Sequence, residues 1–127
     1  MNKNILIVDD DASIVEGLEE VFQEAGYNVK SALKGVDAIA LAKTQHFHLI
    51  FIDLIMPDMD GIELCKAVKE ISPDSVSILF TGNLDAELIY KEVEFIDAGG
   101  KVYYLYKPLF KDELLSAARK AIEENNL

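Results

Sequence analysis

The stretch that decides the fold is Asn4-Ile5-Leu6-Ile7-Val8-Asp9-Asp10-Asp11. Within residues 4–8, Ile5 to Val8 form an unbroken aliphatic run, the signature of a strand buried on both faces of a parallel sheet, and acids follow it at once. The pattern returns twice: Leu49-Ile50-Phe51-Ile52 runs into Asp53, and Val102 to Tyr106 runs into Lys107-Pro108. In an open parallel α/β sheet the C-terminal strand ends gather at one edge, where ligands bind. Three carboxylates and a lysine gathered there suit a hard cation and a phosphoryl group.

Strand-like and helix-like segments alternate along the rest of the chain. Residues 13–25 place Ile14, Leu18, Val21, Phe22 and Ala25 at helical spacing, and Gly26 stops the helix. A short strand over 28–32, a helix over 35–45 and a strand over 48–52 follow. Pro57, Asp58 and Asp60-Gly61 mark a turn. Then come a helix at 62–71, a strand at 76–80, a helix at 86–97, a strand at 102–106 and a helix from Lys111 to Glu124. Five β–α units without a linker imply a parallel sheet covered by helices on both faces, with 4–8 and 49–52 central.

At 127 residues this reads as one domain, 1–127, with half its residues apolar and room for a core. No apolar run is long enough to span a bilayer, and the N-terminus lacks the pattern of a signal peptide. The lone Cys65 cannot form an internal disulfide, and a cytoplasmic protein with no membrane partner fits. The net charge of −11 argues against nucleic-acid binding by this domain, since phosphate contacts need clustered Lys and Arg.

Asp9, Asp10 and Asp53 are hard oxygen ligands suited to Mg²⁺, which is held by one or two carboxylates plus waters and phosphate oxygens. Asp53 is the candidate nucleophile, because a carboxylate can attack phosphorus and form an aspartyl phosphate. Lys107 would meet a phosphoryl oxygen as a point charge, and Thr81 offers a hydroxyl donor. Singly, each has a plain reading: a solvated strand end, a surface cation, a turn hydroxyl. All falling at strand ends is the stronger signal. Asp11 reads as a helix cap shared with Ser13.

Four motifs carry a family resemblance over nearly the whole chain: Ile5 to Asp11, Asp53-Leu54-Ile55-Met56-Pro57-Asp58-Met59-Asp60-Gly61, Thr81-Gly82, and Lys107-Pro108. In these the chain resembles the receiver domains of two-component response regulators, of the chemotaxis-regulator type. The resemblance implies a flavodoxin-like (βα)5 fold, a doubly wound five-stranded parallel sheet of order 2-1-3-4-5. It implies phosphorylation at Asp53, Mg²⁺ bound by Asp10, Asp53 and the Ile55 carbonyl, and Asp9 acting through water. Thr81 and Lys107 would hold the phosphoryl group, and Thr81 would be coupled to Tyr104 as a switch. The implied donor is a sensor histidine kinase or a histidine phosphotransfer domain. The implied target is an output domain or partner protein, with a homodimer possible on phosphorylation.

Such a chain is a signalling receiver that assists its own phosphorylation and dephosphorylation rather than an enzyme. Residues 98–104 form a segment one residue longer than in the commonest receivers. Ile55, two past Asp53, cannot orient water by hydrogen bonding, so self-dephosphorylation should be slow. The length suits either a stand-alone receiver or part of a longer response regulator.

Rival readings are weaker. A haloacid-dehalogenase-like phosphatase expects an acid where Ile55 stands, and Asp9-Asp10-Asp11 would repel a flavin phosphate. The intact acid, Thr and Lys set argues against a receiver that never takes up phosphate. His46 and His48 read as structural or solvated, Cys65 as packed in a helix, and Met56 and Met59 as shaping the loop beside Asp53. Tyr103, Tyr104 and Tyr106, with Tyr90 and Leu109, are candidates for an output surface.

Overall fold

Two strands that are apolar on both faces set the centre of the molecule. The computed structural model describes residues 3–53, 56–80, 93–102 and 111–125. The strands are β1 (Asn4–Val8), β2 (Asn28–Ala32), β3 (Leu49–Asp53), β4 (Val76–Phe80) and β5 (Lys101–Val102). The helices are α1 (Ala12–Glu24), α2 (Gly35–Thr44), α3 (Gly61–Ile71), the helical residues 93–97 (α4) and α5 (Lys111–Asn125). All pairings are parallel, in the order β2-β1-β3-β4-β5. This is the flavodoxin-like order, with β1 and β3 inside.

Alternate residues of these strands supply two cores. Ile5, Ile7, Leu49, Phe51, Val76 and Ile78 face one side, against Val15, Leu18 and Phe22 of α1 and Leu114, Ala118 and Ala121 of α5. Leu6, Val8, Ile50, Ile52 and Leu79 face the other, against Ala38 of α2, Leu64, Cys65 and Val68 of α3, and Phe95 of α4. Each fully buried aliphatic or aromatic side chain contributes about 1.5–3 kcal/mol of burial. Among the described residues no helix is long and apolar enough to cross a membrane.

Local chemistry fixes the helix ends. Asp11 alone caps α1, accepting the Ser13 and Ile14 backbone N–H groups at 3.0 and 3.4 Å. Ser13 lies inside the helix as a donor, so the expected shared cap is corrected. Gly26, at φ 96°, reverses the chain after α1: its N–H bonds Gln23, and the next N–H, from Tyr27, bonds Phe22. Gly99, at φ 99°, repeats the motif after α4, with bonds from Gly99 to Ile96 and Gly100 to Phe95.

The third strand runs 49–53 rather than 48–52, because Asp53 still pairs with Phe80 of β4. Asp53 is thus the last strand residue, not the first loop residue. The N-terminal part of the helix expected at 86–97, and positions 103–106 of the last strand, lie outside the described residues.

Candidate phosphoacceptor and metal site

Parallel pairing of β1 with β3 brings the acids together. Val8 pairs with Ile52, so Asp9 and Asp53 each stand one residue beyond the last paired positions of these neighbouring strands. One carboxylate oxygen from each of Asp9, Asp10 and Asp53 lies within 4.8 Å of the others. Asp9 is fully buried, Asp53 half-buried and Asp10 exposed. Asp9 is held from both sides: its N–H donates to the Ala32 carbonyl at the end of β2 (3.2 Å), and its Oδ1 accepts the Asp11 N–H (2.9 Å).

The donor set is all carboxylate oxygen, with two of the three groups open to solvent. That fits a hard divalent cation that keeps several waters, and it fits Mg²⁺ better than a softer metal preferring nitrogen or sulfur. Ile55, Thr81, Tyr104 and Lys107 lie outside the described residues, as do Tyr90, Tyr103, Tyr106 and Leu109. Phe80, the strand partner of Asp53, is the chain neighbour of Thr81.

Residues 56–60 are pinned at several points. Met56 is buried, and Met59 packs on the α2–α3 side of the core. Asp60 caps α3 by accepting the Glu63 N–H at 2.9 Å. Asp58 reaches further. Its two oxygens accept the N–H groups of Gly35 and Val36, both at 3.0 Å, at the start of α2. These two N–H groups, Val36 first and then Gly35, hold its carboxyl below the usual carboxylate range. Sequence reading assigned Asp58 only to a turn. The signal available was indirect: Lys34, the residue before α2, has no side chain able to cap the helix, and it makes no capping bond.

His46 and His48 sit by the opposite sheet edge, where the strands begin. The Asn4 N–H donates to His48 Nδ1 at 3.0 Å, and the two rings meet edge to face at 5.0 Å. Both serve structure, as expected. Cys65 is buried in α3, 3.8 Å from the Ala98 carbonyl, and burial raises its thiol pKa.

Residues 5–119 match the family model described as response regulator receiver domain. Sporulation initiation phosphotransferase F of Bacillus subtilis is 33% identical over 120 residues, covering 94% of each chain. Transcriptional regulatory protein ZraR of Salmonella typhimurium is 36% identical over 119 residues. The chain spans 26% of ZraR and 53% of the response regulator MprA of Mycobacterium ulcerans. Among solved structures, a CheY-like receiver domain protein from Methanospirillum hungatei superposes with TM-score 0.90 at 29% identity, covering 99% of this chain and 98% of that one. Chemotaxis protein CheY4 of Vibrio cholerae gives 0.85 at 30% identity, covering 95% and 99%.

Proposed function

The chain belongs to the response regulator receiver family of two-component signalling, and on that premise we propose that Asp53 is its phosphoacceptor in a Mg²⁺-dependent transfer. The observation that carries this is the meeting of the Asp9, Asp10 and Asp53 carboxylates within 4.8 Å at the strand ends. An Asp53 oxygen forms a bond to phosphorus as the bond to the donor's imidazole nitrogen breaks, and the leaving imidazole takes up a proton. The product is an acyl phosphate on Asp53. Asp10 and Asp53 would hold Mg²⁺ with the Ile55 carbonyl, and Asp9 would act through water. Bound there, the ion supplies neutralisation of phosphoryl charge.

Lys107 pairs with a phosphoryl oxygen and Thr81 donates its hydroxyl to another, which draws Thr81 inward and lets Tyr104 follow. The donor is a sensor histidine kinase or a phosphotransfer domain, and the altered surface is read by an output domain, a partner protein or a second copy. Ile55 leaves no side chain to align water, so the acyl phosphate on Asp53 is long-lived. Phosphoryl uptake and loss are assisted by the chain's own residues.

Intact-protein mass spectrometry after incubation with acetyl phosphate tests the reading. One phosphoryl group is expected on the wild type, dependent on Mg²⁺ and absent from Asp53→Asn. An adduct that persists in Asp53→Asn would refute the assignment of the nucleophile.

A further inference from the structure

The cap of α2 comes from a residue 22 to 23 positions away in sequence. Helices ordinarily take their N-cap from the residue just before them. Here that residue is Lys34, whose backbone is extended at φ −137°, ψ 151° and whose side chain makes no capping bond. Asp58 fills the place with both carboxylate oxygens. Beside it, Met59 lies so closely over Gly35 that a Cβ at Gly35 would overlap its Cγ and Sδ atoms. The clamp therefore has a polar half and an apolar half.

The clamp lies close in sequence to both sides of the acidic site. Asp9 is bonded through its N–H to Ala32. Three residues on from Ala32, Gly35 is bonded to Asp58. From Asp58 the chain runs back five residues to Asp53. The β2–α2 connection is thus a strap joining the Asp9 side of the site to the Asp53 side. Asp58, five residues past Asp53, is thereby tied to the start of α2.

We propose that Asp58 is a positioning residue for the metal site: by tying the chain five residues past Asp53 to the start of α2, it holds Asp53 in the geometry that binds Mg²⁺. This rests on the reading of the Asp9, Asp10 and Asp53 cluster as a Mg²⁺ site. Cutting the strap removes none of the three carboxylates but loosens the placement of Asp53, so Mg²⁺ affinity falls without loss of a ligand. Groups that orient metal ligands from behind typically contribute about 10- to 100-fold to affinity.

A cap and a strap can be separated by experiment. Asp58→Ala removes both. Adding Lys34→Ser places a local cap at an extended position suited to it and restores the wild-type net charge, but it does not restore the strap. Mg²⁺ binding to each chain is measured by isothermal titration calorimetry, and thermal midpoints are recorded without metal. The expected result is about 10-fold weaker Mg²⁺ binding in Asp58→Ala. In the double variant the midpoint recovers while the affinity stays low. Unchanged affinity in Asp58→Ala, or affinity that recovers along with the midpoint, overturns the proposal and leaves the metal site standing. If Asp58→Ala does not fold, the double variant alone decides, with wild-type affinity as the overturning result. A wild-type chain that binds no Mg²⁺ overturns the parent reading and the proposal with it.

Discussion

Replacing Asp10 by Asn should make the metal-free protein more stable and at the same time remove its response to Mg²⁺. The carboxylate oxygens of Asp9, Asp10 and Asp53 come within 4.8 Å of one another. At that distance two unit charges in water repel by about 0.9 kcal/mol. The water value applies because Asp10 is exposed. At about 0.15 M salt, screening over roughly 8 Å halves it. Asp10 faces two other carboxylates, so Asn relieves about 1 kcal/mol. For 127 residues the unfolding entropy is roughly 0.27 kcal/mol/K, and the gain is a midpoint about 4 °C higher. With Mg²⁺ at about ten times its dissociation constant the wild type gains about 1.4 kcal/mol, or roughly 5 °C. The variant, short of one ligand, gains little, and the order of the two proteins reverses. Differential scanning calorimetry with EDTA and then with MgCl₂ reads both halves. A metal-free variant no more stable than wild type would refute the repulsion argument. Equal Mg²⁺ stabilisation of both proteins would refute Asp10 as a ligand.

Three further outcomes are expected. Gly100→Ala should destabilise by about 1–3 kcal/mol in urea titrations, because a Cβ there would overlap the ring of the fully buried Phe95; a neutral effect would mean the ring can move aside. Burial foremost, then the charges of Lys3 and His46, lowers the His48 pKa below 6.5. The unfolded chain therefore binds more protons in that window, and the contribution of His48 is complete above about 6.5 and is lost as pH falls through the folded value. His48→Gln should flatten that part of the stability-against-pH curve, and parallel curves would contradict the assignment. Cys65 should resist a thiol-specific disulfide reagent until unfolding, given its burial and raised pKa; immediate labelling of the native protein would show that α3 opens locally.

Much of this was legible because short-range rules governed it. The strands at 4–8, 28–32 and 76–80 have the expected bounds, and the runs expected to be central are central. Aliphatic residues on both faces leave a strand nowhere else to go. The convergence of Asp9, Asp10 and Asp53 followed from topology, since parallel strands put their ends at one edge. Asp58 was not legible. A carboxylate in a turn next to a proline has an adequate local explanation, and its bond to Val36 spans 22 residues of sequence. The lesser misreading at Ser13 has the same root: Asp11 and Ser13 are both good caps by composition, and only the backbone shows which one stands outside the helix.

The two-sided core has a consequence for how β1 and β3 find their alignment. In a sheet with one wet face, a slip of one residue turns apolar side chains to water, and solvent itself rejects the error. Here both faces are dry, and Ile7 for Val8 or Phe51 for Ile52 would exchange one apolar layer for another. Two features can still tell the registers apart. Phe51 stands with its ring centroid 5.2 Å from that of Phe22, and the opposite layer has Ile52 in that place. The acids at the strand ends do the rest: drawing either strand back by one residue would pull the buried Asp9 off its bonds to Ala32 and Asp11, or carry Asp53 to the position of the fully buried Ile52, where a carboxylate is strongly disfavoured. The residues that make the site thus also act as a stop for the strands, so that chemistry and alignment are proofread by the same charges.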